Sequence, residues 1–157
     1  MREVGFEILS PVIESWEQLR LMKNYEEEAG MLLYEHLFTL HPEVAKLFGL
    51  PGNNIPEMKQ SKRFVMQAKY MIQMLDTSLQ MLGPDIELLT EINHELGERH
   101  VKYGVTPAMY RFMGEAIIFT MKEMLGDKFD ADMQKAWEVV YAELSGDILS
   151  TYPNNKD

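Results

Sequence analysis

The residue with the most chemistry to offer closes the stretch from Glu91 to His100. If this stretch is a helix, Ile92, Leu96 and His100 follow one another at steps of four, so the imidazole shares an apolar stripe. An imidazole facing a hydrophobic interior either satisfies a polar neighbour or holds a metal. Two more polar side chains fall on apolar stripes. Tyr34 sits among Leu33, Leu37 and Phe38 with its hydroxyl aimed inward, and Gln67 lies one turn from both Phe64 and Met71. Taken singly, Tyr34 reads as a core tyrosine bonded to a backbone carbonyl, and Gln67 as a residue at the edge of its stripe. One inward polar residue on each of three helices is harder to dismiss, because buried polar groups require partners.

Several chemistries fail on spacing. A di-iron carboxylate bundle requires two Glu-x-x-His motifs, and Glu91 to His94 is the only one. His94 lies off the Ile92, Leu96, His100 stripe and reads as solvated. The histidines at 36, 41, 94 and 100 form no i, i+4 pair for zinc. No glycine-rich phosphate loop or Gly-x-Ser-x-Gly elbow occurs. With no cysteine, thiolate metal sites, disulfides and cysteine nucleophiles are excluded. One protein histidine can hold a metal if a macrocycle supplies the other ligands, as in haem with an axial imidazole. The satisfied core histidine remains the other reading.

The elements that must position these residues are helices. Ser10-Pro11 is expected to cap and open a helix to about Leu21, and a second runs from about Tyr25 to Leu40. His41-Pro42 forces a break, followed by a helical turn from Glu43 to Phe48. Leu50 to Pro56 reads as a loop. A long helix is expected over Glu57 to Met81, burying Phe64, Met71, Met74 or Leu75, and Ser78. Others follow over Asp85 to Lys102, Thr106-Pro107 to Leu125, and from an Asp130 cap to Ser150. No segment alternates long enough for a strand. Helices of unequal length joined at proline corners fit a folded helical sandwich better than four equal helices.

At 157 residues and 46% hydrophobic, the chain reads as one globular domain, 1–157, with its core over about 10–150. Its 25 acidic and 15 basic residues give a formal charge of −10, which argues against nucleic acid and anionic membranes as partners. No apolar run approaches a membrane span and no signal-peptide core opens the chain, so a cytoplasmic protein is expected. Thirteen methionines suit irregular gaps beside a flat group, and serve equally as ordinary core filler.

From about Val12 to Leu149 the chain resembles a globin. Trp16 is similar to the tryptophan of the first globin helix. Leu37 to Phe48 resembles the corner where a proline turns the chain and a phenylalanine packs on the haem face. Leu96 to His100 with Val105 resembles the proximal segment, and Tyr110 to Glu115 and Ala136 to Tyr141 resemble the closing helices. The nearest flavours are neuroglobin-like and bacterial single-domain or flavohaemoglobin-type globins. The resemblance implies an all-α, three-over-three sandwich around haem b, with His100 as iron ligand. It implies cofactor contacts at Phe48, Met71, Leu96, Val105, Tyr110 and Met113. Tyr34 and Gln67 fall on the distal slots that face the bound gas, with Ala68 and Tyr70 the alternatives to Gln67 if the register slips.

Two departures from relatives matter. Neuroglobins carry a histidine where Gln67 falls, so a resting bis-histidine iron is not implied here. The Tyr34/Gln67 pair resembles that of flavohaemoglobins, whose proximal histidine is supported by a tyrosine and a glutamate. Tyr110 matches the tyrosine, but the glutamate slot falls near Tyr152, so His100 is expected to bond a backbone carbonyl near Leu96 instead. The implied function is tight binding of dioxygen and other diatomic gases for scavenging, sensing or nitric-oxide dioxygenation, with a reductase acting in trans. The alternative is a haem-free globin-fold regulatory module.

Overall fold

The computed structural model describes residues 1–50 and 54–153. Among them there is no strand. The helices are α1 (Phe6–Arg20), α2 (Tyr25–Leu40), α3 (Pro42–Ala45), α4 (Ile55–Lys59), α5 (Lys62–Met81), α6 (Ile86–Tyr103), α7 (Pro107–Leu125) and α8 (Ala131–Leu149). A 3₁₀ turn, Lys46–Phe48, continues α3, and another, Gly126–Lys128, follows α7.

α1 begins earlier than the Ser10-Pro11 signal predicts. The Gly5 carbonyl accepts the Ile8 and Leu9 N–H groups, and both side chains pack on the core. Pro11 is then interior to the helix, so Ser10 is no cap. Burying Ile8 and Leu9 outweighs the one backbone bond that Pro11 cannot donate. The expected helix over Glu57 to Met81 is two helices. Ser61 accepts the Phe64 N–H at 3.3 Å and starts α5 afresh. Upstream, Asn54 accepts the Glu57 N–H at 3.2 Å and donates its amide to the Glu57 carboxylate at 2.9 Å. This reciprocal cap makes Ile55 and Pro56 helical, where a loop was expected. Pro51, Gly52 and Asn53, from the same expected loop, lie outside the described residues.

Two layers of three long helices cross. α1, α5 and α6 form one, α2, α7 and α8 the other; α5 lies on α2, while α1 and α6 lie on α8. Buried tryptophans pin the layers. Trp137 Nε1 donates to Ser15 Oγ at 2.7 Å, and Ser15 donates to the Val12 carbonyl at 2.9 Å. Trp16 Nε1 donates to Asp76 at 2.7 Å, tying α1 to α5. Each indole N–H is thus satisfied while its ring fills the core.

Two tight crossings bear on the site: α6 on α8 at Gly97, where a Cβ would meet the Ile148 carbonyl, and α2 on α5. A Cβ on Gly30 would collide with the Ala68 carbonyl, so only glycine lets the helices approach this far. That crossing sets the face α5 buries: Phe64, Ala68, Ile72, Leu75 and Leu79. The expected stripe through Met71 and Ser78 is therefore rotated. Gln67, Met71 and Met74 form a second, half-buried face. α6 behaves alike. Leu89, Asn93 and Gly97 are buried, while Ile92, Leu96 and His100 are half-buried.

Candidate functional site

His100 is set by the end of its helix. Gly104 takes φ 88°, the left-handed turn that ends α6, and its N–H reaches the His100 and Val101 carbonyls. Val105 N–H follows at 3.0 Å from the His100 carbonyl, which places Val105 beside the imidazole's turn. Within α6, His100 Nδ1 lies 2.9 Å from the Leu96 carbonyl. Only an N–H can make that contact, so the proton sits on Nδ1 and Nε2 keeps its lone pair. Burial pushes the imidazole pKa down against the opposing effect of the Leu96 carbonyl, and Arg99 lowers it further. The result is a neutral imidazole whose Nε2 has no protein partner among the described residues.

Tyr34 and Gln67 form the second group. Gln67 Nε2 donates to the Tyr34 hydroxyl at 3.4 Å, long for a hydrogen bond. Of the three α5 residues that could occupy this slot, Gln67 is the one on the tyrosine. Ala68 is buried beneath Gly30, and Tyr70 is 55% exposed. The Tyr34 ring is boxed by Phe38, Phe48 and Phe64 at centroid distances of 5.3, 5.6 and 6.0 Å. Burial pushes its phenol up to about 12, against the lowering effect of the Gln67 amide, so the hydroxyl stays protonated. Because Tyr34 Oη accepts from Gln67, its own proton has no acceptor among the described residues. Met71 is half-buried one turn beyond Gln67.

Behind His100 lies a third group. The Tyr110 ring centroid is 6.2 Å from the imidazole. Tyr110 and Tyr152 hydroxyls are 3.1 Å apart, and Tyr152 donates to the Val105 carbonyl at 2.8 Å. The single Tyr152 proton is committed to Val105, so Tyr110 donates to Tyr152. Burial and that bond together raise the Tyr110 pKa. Tyr141 donates in turn to the Tyr110 carbonyl. Met113, on α7, is half-buried against the core. Sequence reasoning saw Tyr152 only as a missing carboxylate. An aromatic just past the Ser150 helix end, with no apolar periodicity of its own to explain it, was the available signal.

No hydrogen bond or ring contact joins the Tyr34–Gln67 pair to His100 among the described residues. The Tyr34–Gln67 pair ties α2 to α5, while His100, Tyr110 and Tyr152 tie α6 to α7 and the C-terminal turn. His94 keeps the exposure expected of it, its side chain being 43% exposed, and it also lies 3.3 Å from Asp147 Oδ1 and from the Ser150 hydroxyl. Asp147 is buried and also accepts the Asn93 amide at 3.0 Å and the Met1 α-amine at 3.1 Å. Among the described residues no cluster of three or more His, Asp or Glu could hold a metal ion.

The chain is 26% identical to the neuroglobin of Danio rerio over 131 residues, 82% of this chain and 80% of that protein. It is 27% identical to the flavohemoprotein of Rhizobium meliloti over 117 residues, 74% of this chain but 26% of that longer protein. The hexa-coordinate haemoglobin of Drosophila melanogaster superposes with a TM-score of 0.85 at 19% identity, over 97% of both chains. This agrees with the three-over-three sandwich described above. The globin family model matches residues 32–148, which is most of the chain, and the chain belongs to the globin family.

Proposed function

We propose that this chain is a haem-b globin that binds dioxygen tightly, with His100 Nε2 as the axial donor and Tyr34 and Gln67 facing the bound gas. The observation that carries this reading is the His100 Nδ1 bond to Leu96, which leaves a neutral imidazole presenting a lone pair. One such donor suits a metal whose in-plane ligands come from a macrocycle. The half-buried apolar faces of α5 (Met71, Met74) and α6 (Ile92, Leu96) suit the two sides of a flat hydrophobic group, and half-buried Phe48 suits packing on one of them. A chain without cysteine has no thioether anchor, so the group is held non-covalently.

Haem held by His100 would supply a ferrous iron able to take a diatomic gas. The residues decide how long the gas stays. The Tyr34 hydroxyl, protonated and without an acceptor among the described residues, would donate to the partial negative charge on dioxygen. Gln67 orients that hydroxyl and keeps a second amide proton of its own. A hydrogen bond to a charged acceptor contributes about 1.5–3 kcal/mol, which slows release by roughly ten- to a hundredfold. Carbon monoxide develops less charge and gains less. On the proximal side, Leu96 offers a neutral carbonyl where a carboxylate would push electron density more strongly.

Slow release suits scavenging, sensing or conversion of nitric oxide and dioxygen to nitrate better than delivery. The last requires one electron per turnover from a reductase in trans. Visible spectra of the haem-loaded protein, ferric, reduced, and reduced under carbon monoxide, test the reading. The expected result is a Soret band that shifts at each step and is lost in His100→Ala, returning with added imidazole. A protein that takes up no haem on titration would instead be a globin-fold module working through its surface. A ferrous oxygenated form that consumed no nitric oxide would remove the dioxygenase role alone.

A further inference from the structure

Charge is sorted along this chain. Acidic residues outnumber basic ones 25 to 15, yet residues 44–50, 58–75 and 99–114 contain no Asp or Glu. These three stretches meet in space. The Arg63 guanidinium lies over Gly49 and the Leu47 side chain lies over Gly104. Phe48, Gln67 and His100 belong one to each stretch, so an acid-poor surface rims the proposed haem site, with Glu95 and Glu98 one turn before Arg99 and Lys102 on α6. On it Lys46, Lys62, Arg63, Arg99 and Lys102 are exposed and make no ion pair among the described residues. Lys59 and Lys69 pair with Glu35 and Glu27 at 2.8 and 4.0 Å, at the border where the acidic remainder begins.

The same rim exposes large apolar groups. Met66 is 71%, Tyr103 63% and Tyr70 55% exposed. Aromatic, methionine and arginine side chains together are the composition of a protein interface. A shallow, open recess of about 650 Å³ lies along α5, lined by Arg63, Met66, Gln67, Lys69, Tyr70 and Gln73.

We infer that this rim is the docking face for an acidic electron-transfer protein, the donor that reduces the haem. The inference rests on the haem reading above and adds to it the chemistry of the partner. An acidic partner is repelled by the −10 body as a whole but drawn to this one face, so the sorted charge both selects and orients it. Each productive encounter passes one electron: the partner's reduced cofactor loses it, and ferric haem becomes ferrous. Basic donors are steered to the wrong side of the molecule by the same field.

The test uses the haem-loaded ferric protein, a reduced, strongly acidic flavodoxin as probe, and the uncharged lumiflavin semiquinone as control reductant. Stopped-flow reduction by flavodoxin should slow at least tenfold between 10 mM and 0.5 M salt, as screening shortens the field. The triple variant Lys62→Glu, Arg63→Glu, Lys102→Glu should lose at least tenfold in that rate at low salt. Its reduction by lumiflavin should stay within twofold of wild type. A matched reversal away from the rim, Lys122→Glu, Lys128→Glu, Lys135→Glu, should change neither. Binding of oxidised flavodoxin, followed by fluorescence anisotropy, should weaken in step with the rate. Equal rates for the two triple variants, or a flavodoxin rate indifferent to salt, would overturn the docking face while leaving the haem reading intact. A rim variant that only loses haem affinity, with unchanged flavodoxin binding, would assign the charges to the haem carboxylates and overturn it too. Absence of a Soret band in the wild type would remove both.

Discussion

Replacing Tyr34 with phenylalanine removes one oxygen atom, and its loss should matter differently to folding and to gas binding. Among the described residues its only hydrogen bond is the 3.4 Å contact from Gln67. A bond that long contributes below about 1 kcal/mol. Gln67 is half-buried and can turn its amide to water, so it is not stranded. The phenylalanine ring keeps its packing on Phe38, Phe48 and Phe64. Stability should therefore change by less than about 1 kcal/mol, a melting shift within roughly 4 °C for a chain of this size. With dioxygen bound, the lost donor faced a partial negative charge, and about 1.5–3 kcal/mol goes with it. Oxygen dissociation should accelerate by about tenfold to somewhat over a hundredfold, and carbon monoxide dissociation by far less. Stopped-flow displacement of dioxygen by carbon monoxide reads the rate, and a thermal melt of the same preparation reads the stability. An oxygen dissociation rate within twofold of wild type, with an unchanged Soret band, would refute the assignment of the hydroxyl proton. A melting temperature lowered by more than about 10 °C would show that the hydroxyl has a structural role missed here.

Three further outcomes follow from the packing. Gly30→Ala should destabilise by about 1–3 kcal/mol, because its Cβ meets the backbone of α5 rather than a movable side chain; urea unfolding checks it. Tyr152→Phe should cost about 1–3 kcal/mol, since it leaves the buried Tyr110 hydroxyl without an acceptor and the Val105 carbonyl without a donor; Tyr110→Phe in the same background should recover part of that loss. Asp147 is raised by burial, but the Asn93 amide, the Met1 α-amine and His94 outweigh this and hold its pKa below the usual carboxylate value. Its contribution is present above about pH 4 and lost as pH falls through the depressed folded value. Thermal melts of wild type and Asp147→Asn should differ most at neutral pH and converge in acid.

The helices around the site were legible because their boundaries carry chemistry that acts locally. Pro42, Pro107, Gly104 and Asp130 do their work within a turn of where they stand. What escaped depends on contacts distant in sequence. Ile8 and Leu9 extend α1 upstream because a core built by later helices is there to receive them. α5 is rotated because Gly30, on another helix, admits Ala68 and so decides which face is buried. Periodicity gives the spacing of a stripe but not which of two half-apolar stripes meets the core. The partner of His94 went unseen for the same reason, Asp147 being 53 residues away. At the site, Tyr34, Gln67 and His100 were visible as polar residues on apolar faces. Tyr152 was not, because its significance lies in reaching back to Val105 across 47 residues.

The contact between Gly30 and Ala68 also acts as a pivot. Two helices held tightest at one crossing would rock about it if their other contacts yield, and displacement would grow with distance from that point. Gln67 is next to the pivot, and Tyr34 stands one turn away, about 6 Å along α2 at the helical rise. A rocking of about 5° shifts Tyr34 by roughly 0.5 Å, and positions two turns farther out by about three times as much. The pair expected to hold the gas therefore sits where thermal breathing moves it least, so its geometry can persist while the outer ends of the same helices open. The residue that secures this is a glycine that touches neither the gas nor the iron.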